Sequence, residues 1–111
     1  MNKYLFLYWN PPPPDQQPSP EEMQQMLAQW TGWKEKFADA VVDMGDGLQH
    51  SGRTLKEGKI SDGPYAESKE IIGGFSIIQA ESYEAALEVA KACPASLMPG
   101  ATIEIREMMG F

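Results

Sequence analysis

Residues 3–9, KYLFLYW, constrain the fold more than any other part of this sequence. Side chains along a strand alternate between its two faces. The two sets here are Tyr4, Phe6 and Tyr8 on one face and Leu5, Leu7 and Trp9 on the other. Both faces are apolar, which is typical of a strand that is covered on both sides. The sequence therefore predicts a strand in the middle of a sheet.

Two further segments carry the apolar periodicity of helices. Residues 19–45 open with a capping residue, Ser19, and continue with apolar residues at three- and four-residue steps, which predicts one long helix that stops at Gly45. Its apolar stripe consists of Met23, Met26, Leu27, Trp30, Phe37, Val41 and Met44. Residues 82–94 predict a second helix, which is capped by Ser82.

The remaining segments favour strands. Residues 46–65 indicate short strands joined by turns, including a hairpin at KEGK in which Gly58 takes a positive φ. A second turn is predicted at DGPY, where Gly63 is expected to carry a positive φ. Residues 71–80, whose two glycines leave room for a bulge or a close neighbour, and residues 101–109 complete the set of strands.

The order strand, helix, strands, strand, helix, strand predicts an α+β fold. We expect a ferredoxin-like antiparallel sheet with two helices on one face and an extra β-hairpin. Two helices cover only one face of such a sheet, whereas residues 3–9 need cover on both. A second copy of the same sheet would cover the other face. The sequence therefore predicts a homodimer that assembles sheet on sheet.

Size and charge exclude several classes of function. The 111 residues amount to one domain, residues 1–111. The net charge of −7 comes without a cluster of Lys or Arg, so neither nucleic acid nor an anionic membrane is an expected partner. No apolar stretch has the length of a membrane span or the pattern of a secretory signal. A single cysteine, Cys93, cannot form an intrachain disulfide, which favours a cytoplasmic protein.

Residues 10–20, NPPPPDQQPSP, form a proline-rich segment. It cannot be a helix or an interior strand, because proline fixes φ and donates no backbone hydrogen bond. One interpretation is a polyproline ligand for an SH3-like partner. The favoured interpretation is a stiff connection between strand and helix, since the segment lies inside the domain.

A motif near the middle of the chain resembles a known family. DGPYAESKEIIGGFSII, residues 62–78, is similar to the signature of the YCII-related family, in the branch named for its Asp-Gly-Pro-Phe motif. SPEEM, GDGLQ and IEIRE also fit, so the resemblance covers nearly the whole chain. It implies a dimeric α/β barrel of the ferredoxin-like kind. Relatives are mostly uncharacterised, and some are encoded beside, or fused to, sigma factors of the extracytoplasmic-function type.

The better-known branch of that family pairs a His early in its long helix with an Asp after the hairpin. This chain keeps Asp62 but has no His in its first helix, so the pair cannot be carried over. The only histidine is His50, which follows the GLQ segment. Its side chain is either an ordinary polar group of a loop or a catalytic group that titrates near neutral pH.

Six residues are candidates for a site. The catalytic candidates are Asp62, Glu70 and His50, and the candidates for substrate binding are Arg106, Lys69 and Trp30. Each also has a structural alternative, as a turn residue, an ion-pair partner or a core side chain. We predict that Asp62, Glu70 and Arg106 line one cavity beside Trp30.

No metal or cofactor is expected. One His and one Cys supply no ligand pair for zinc, and residues 43–47 lack the spacing of a calcium loop. Residues 73–74, a glycine pair, lack the spacing of a dinucleotide loop. Two classes of function remain open. One is a small cofactor-independent enzyme acting on a small organic substrate between sheet and helices, and the other is a non-catalytic binding or regulatory module, for example one linked to a sigma factor.

Overall fold

A computed structural model describes residues 1–10, 19–63 and 71–111. Its elements are β1 (Asn2–Asn10), α1 (Pro20–Lys36), β2 (Val41–Gly47), β3 (Arg53–Lys56), β4 (Lys59–Asp62), β5 (Ile71–Ala80), α2 (Tyr83–Lys91) and β6 (Thr102–Glu107). A short 3-10 helix, Pro94–Leu97, lies between α2 and β6. The predicted proline-rich connection falls on residues 11–18, outside the described part, as do Lys69 and Glu70.

Four strands form one antiparallel sheet in the order β2-β5-β1-β6. Strand β1 pairs with both β5 and β6, so it is the interior strand that its sequence predicts. Strands β3 and β4 form the predicted hairpin as a separate two-stranded sheet. Together with the two helices on one face, this strand order is that of a ferredoxin-like α+β fold.

Both helices pack on the same face of the sheet. The Phe6 ring lies 6.5 Å from the Trp33 ring of α1, and the Tyr4 ring lies 4.9 Å from the Tyr83 ring of α2. The buried Trp33 indole N–H donates a hydrogen bond of 3.1 Å to the carbonyl of Val89, which ties α1 to α2. The core therefore lies between the β1 aromatics and the two helices.

The opposite face of the sheet carries no helix, and we call it the open face. Side chains directly opposite each other in an antiparallel pair share a face, so the register of the strands assigns its members. Its apolar residues include Leu5, Leu7, Trp9, Ile72, Phe75 and Ile77, and each is only half-buried. Both faces of β1 are apolar in the sequence. Within a single chain, however, the helices cover only one of these faces.

Helix α1 starts where the sequence predicts and ends earlier. The Ser19 hydroxyl accepts a hydrogen bond of 3.2 Å from the backbone N–H of Glu22, as the capping pattern predicts. The helix ends at Lys36, and the chain from Val41 onward is strand β2. The prediction of one helix as far as Gly45 is therefore wrong.

The early end of α1 has a local cause. The backbone N–H groups of Ala40 and Val41 both donate to the carbonyl of Phe37, which reverses the chain. The β-branched pair Val41 and Val42 then suits a strand better than a helix. Val41 pairs with Ile78 in the sheet, and its burial there accounts for the apolar spacing that resembled a helical stripe.

Gly45 is a bulge residue of β2 and not a helix stop. The register of β2 against β5 shifts between Asp43 and Asp46, and Gly45 between them has φ +76°. A Cβ atom at this position would overlap the carbonyl group of Phe75. By contrast, Gly63 has φ +88°, as predicted, and its missing Cβ would meet nothing within 4 Å.

These two glycines allow a matched test of backbone strain against steric overlap. Gly63→Ala is expected to cost about 1–2 kcal/mol, because an L residue is strained at this φ. Gly45→Ala carries the same strain together with the overlap at Phe75, so it should cost at least about 1 kcal/mol more. Urea unfolding of both variants measures the difference. Equal losses would contradict the bulge geometry.

Candidate functional site

A cleft of about 300 Å³ lies between the sheet and the first half of α1. Its lining comprises Met26, Leu27 and Trp30 of α1, Tyr8 and Asn10 of β1, Met44 to Gly47 of β2, Gly73 to Phe75 of β5, and Ala95 and Met98. The predicted apolar stripe of α1 runs along it, yet Met26 and Leu27 remain 40% and 61% exposed. Beside Tyr8 and Met44, the sheet presents three glycines to the cleft, Gly47, Gly73 and Gly74.

Glycines on neighbouring strands explain the space under α1. Gly47 of β2 lies directly opposite Gly74 of β5, and Gly74 lies opposite Tyr8 of β1, so all three positions face the helices. A Cβ atom on Gly74 would lie 3.1 Å from the carbonyl oxygen of Asp46. We call Gly47 and Gly74 the glycine floor, because here the sheet presents backbone and no side chain.

Aromatic rings form one wall of the cleft. The Tyr8 ring meets the Trp30 ring at 5.3 Å in an edge-to-face arrangement, and Trp30 meets Trp33 at 5.7 Å in the same way. Such pairs stabilise each other beyond the area that they bury. Trp30, predicted as a binding residue or a core residue, therefore lies at the boundary between the core and the cleft.

A buried chain of hydrogen bonds lies behind that wall. The Cys93 thiol donates to the Tyr8 hydroxyl at 3.6 Å, Tyr8 donates to the Ser76 hydroxyl at 2.7 Å, and Ser76 donates to the Met44 carbonyl at 2.6 Å. Burial raises the pKa of both the Tyr8 hydroxyl and the Cys93 thiol above their ordinary values. Both groups therefore stay protonated at neutral pH and act as hydrogen-bond donors.

The predicted site residues Asp62 and Arg106 lie outside the cleft. The Asp62 carboxylate ends β4, is 94% exposed and pairs with Arg53 at 3.4 Å. Arg106 pairs with Glu104 at 3.4 Å on β6. Because Arg106 lies opposite Leu5, it belongs to the open face and not to the face of the cleft.

The predicted common cavity is consequently not assembled within one chain. Trp30 lines the cleft, whereas Asp62 lies on the hairpin and Arg106 lies on the other side of the sheet. His50 is exposed in the loop between β2 and β3. Glu70 and Lys69 lie outside the described residues, and their roles stay predictions.

Asp46 is the one acidic residue of the described lining, and it is not among the six candidates that the sequence offers. It lies in the bulged part of β2, where its Oδ1 accepts a hydrogen bond of 2.8 Å from the backbone N–H of Gly47. Because Asp46 lies opposite Phe75, its exposed carboxylate belongs to the open face, and the residue lines the cleft through its backbone. The GDGLQ segment carries a family signal at this place, but it does not reveal the strand register that puts the Asp46 backbone beside the floor and its carboxylate on the open face.

Within residues 1–10, 19–63 and 71–111, no group of three or more His, Cys, Asp or Glu side chains is arranged to hold a metal ion. Neither α-helix in these ranges combines the length and the apolar character needed to cross a membrane.

Comparison with protein families matches residues 5–111 to the YCII-related domain. The chain belongs to the YCII-related family. The match spans the whole sheet from Leu5 onward, both helices and the hairpin, so the resemblance seen in the sequence is confirmed at the level of the family. Among individual curated proteins, none matches this YCII-related chain.

The buried hydrogen-bond chain yields a prediction for stability. Ser76→Ala removes the acceptor of Tyr8 and the donor to Met44, so it should cost about 1–3 kcal/mol. Tyr8→Phe should also destabilise, and the double variant should lose less than the sum of the two, because both changes break one chain. Chemical denaturation of the four proteins measures this coupling. Strictly additive losses would show that the two hydroxyls act independently.

Proposed function

We propose that this YCII-related protein binds a small organic molecule in the cleft and acts on it without a cofactor. The observation that supports this is the exposed apolar stripe of α1, held above a floor of backbone. Met26 and Leu27 are partly exposed in the monomer, and a ligand beneath them would remove their apolar surface from water. The volume of about 300 Å³ is at the lower end for ligand pockets, which suits a small molecule.

In the catalytic form of this proposal, Asn10 acts on the substrate, because its side chain lines the cleft whereas the Asp46 carboxylate lies on the open face. A side-chain amide at an apolar cleft can stabilise negative charge that develops on a substrate oxygen within hydrogen-bonding reach. Tyr8 would serve as a wall, because its hydroxyl stays protonated and already donates to Ser76. Asp62, predicted as catalytic, becomes the comparison residue, since it pairs with Arg53 on the hairpin.

The alternative is a non-catalytic binding or regulatory module built on the same cleft. The engaged hydroxyls favour this alternative, since Tyr8 and Ser76 both hold their hydrogen bonds within the core. Conversion of a bound fragment that is lost in Asn10→Ala while the fragment still binds, and that is kept in Asp62→Ala, would favour the enzyme. Tight binding without conversion, with a sigma factor or another protein co-purifying, would favour the module.

The protein is also proposed to be a homodimer that assembles through the open face. Six half-buried apolar side chains lie on that face, and Trp9 donates its indole N–H to Glu104 at 2.8 Å within the same face. A second copy would bury this surface sheet on sheet, at a spacing of about 10 Å. The arrangement would give β1 the cover on both sides that its sequence requires.

Two narrower assignments belong to the same proposal. We place the chain in the Asp-Gly-Pro-Phe branch, supported by the sequence from Asp62 to Glu70 and by the positive φ of Gly63. We also propose a cytoplasmic location. Cys93 is buried as a free thiol, which is compatible with a reducing compartment.

The proposed dimer is tested by placing one charge on each face of β1. Leu7→Asp should give a folded monomer. The new carboxylate stays solvated on the open face of a single chain, but it would lose its water if a second copy packed against that face. Phe6→Asp should unfold the chain, since Phe6 is fully buried in the core. Leu55→Asp, on the exposed face of the hairpin, is the matched control and should stay dimeric. Light scattering measures the oligomeric state and circular dichroism measures folding. A wild-type protein that is monomeric at micromolar concentration would refute the proposed dimer.

Ligand binding is tested by placing a charge at Leu27, where α1 lines the cleft. Fragments found by ¹H–¹⁵N NMR screening should shift the signals of Trp30, Gly47 and Gly74. Leu27→Asp should weaken their binding at least about tenfold, because an apolar ligand would desolvate the new carboxylate. Leu55→Asp, similarly exposed in the native protein, should leave the affinity unchanged. Hits that shift residues elsewhere, with no effect of Leu27→Asp, would refute the cleft as the site.

A further inference from the structure

We infer that the ligand of the cleft is planar and aromatic, with one or two fused rings. The inference rests on the proposed function and adds the chemical class of the molecule. It follows from three features of the same site, namely the glycine floor, the sulfur and aromatic groups around it, and the volume.

The floor favours a flat molecule. Gly47 and Gly74 are direct neighbours on adjacent strands, and their missing side chains clear a strip of the sheet on the side of the helices. Adjacent strands lie about 4.8 Å apart, so the cleared strip is as wide as an aromatic ring. A planar ring system can lie against peptide groups over its full area, whereas a puckered ring touches them at a few atoms only.

The groups around the floor favour an aromatic ring. Tyr8 and Trp30 present ring surfaces beside the floor, and aromatic pairs prefer offset or edge-to-face contacts at these distances. Met26, Met44 and Met98 also line the cleft, and thioether sulfurs make favourable contacts with aromatic rings. Apolar walls alone would bind any hydrophobic molecule of the right size. Aromatic rings together with thioether sulfurs favour an aromatic ligand over a saturated one.

The volume and one polar group define the molecule further. An apolar cavity of about 150 Å³ accommodates benzene. The cleft, at about 300 Å³, has room for roughly two fused rings. The Asn10 side chain also lines it, and its amide nitrogen lies where a Cβ of Gly73 would be. That amide can hydrogen-bond a single hydroxyl or carbonyl substituent at the edge of the ring.

The test compares 2-naphthol with decahydro-2-naphthol, its fully saturated counterpart. Both are bicyclic alcohols with the same carbon skeleton, so hydrophobic transfer alone does not favour the aromatic compound. NMR titration of the full chain should show that 2-naphthol binds at least about tenfold more tightly, with shifts at Trp30, Gly47 and Gly74. Equal affinities at the cleft would overturn the inference and leave the proposed function standing. Binding of neither compound, together with no hit at the cleft in the fragment screen, would overturn both.

A matched pair of glycine variants locates the contact. Gly47 has an ordinary φ, and a Cβ there would come no closer than 3.7 Å to the carbonyl oxygen of Gly73, so Gly47→Ala should fold normally. The added methyl would raise the floor, and the affinity for 2-naphthol should fall at least fivefold. Gly32→Ala, whose Cβ would meet nothing within 4 Å on the exposed side of α1, should leave it unchanged. An unchanged affinity in Gly47→Ala would contradict the floor contact.

Trp30→Leu provides a second measurement in case Gly47→Ala unfolds. Leucine keeps an apolar side chain on α1 but removes the ring beside the ligand. The preference for 2-naphthol over the saturated alcohol should then shrink to less than about threefold. A preference that persists in full would show that Trp30 does not recognise the aromatic ring, and would overturn that part of the inference.

Discussion

The burial of β1 is the constraint on which the rest of the structure depends. Tyr4, Phe6 and Tyr8 are almost fully buried, and each meets an aromatic ring from one of the two helices. Full burial of one such side chain stabilises a fold by roughly 1.5–3 kcal/mol. The helices are fixed over this face for that reason. The open face is left with apolar side chains that only a further layer can cover, which is why the fold and the proposed assembly share one origin.

The cleft arises where that packing stops. The aromatic row of β1 continues as far as Tyr8, and the neighbouring positions on β5 and β2 are Gly74 and Gly47. Glycine within a strand weakens it, by loss of packing and by greater entropy in the unfolded chain. Register shifts occur on both sides of the floor, one in β2 after Asp43 and one in β1 after Tyr8. Bulges of this kind frequently lie next to binding sites, where they redirect the backbone.

Features that depend on local chemistry can be predicted from the sequence. The interior strand, the Ser19 cap and the positive φ at Gly63 follow from residue type and spacing, and the structure has each of them. The end of α1 was missed because Val41 continues the helical spacing while it is buried as part of a strand. A three- or four-residue spacing does not distinguish one long helix from a helix followed by a strand that returns to the same core.

The candidate site was harder to predict because it depends on register. Trp30, a candidate for substrate binding, lines the cleft, but the opposed pair Gly47 and Gly74 becomes adjacent only once β2 is aligned with β5. Asp62 was favoured because it opens the most distinctive motif in the sequence. That motif identifies the family, whereas the Asp62 side chain itself pairs with Arg53 on a hairpin that forms its own sheet.

The buried hydrogen-bond chain connects the core to the cleft. It links four segments, since Tyr8 lies 68 residues from Ser76 and 85 from Cys93, and Ser76 in turn reaches Met44 of the bulged strand. A hydroxyl without a partner would be costly at this depth, so the chain favours one alignment of β2 against β5 over a slipped one. That alignment is the one that places Gly47 opposite Gly74. The polar groups of the core thereby determine where the backbone floor of the cleft lies.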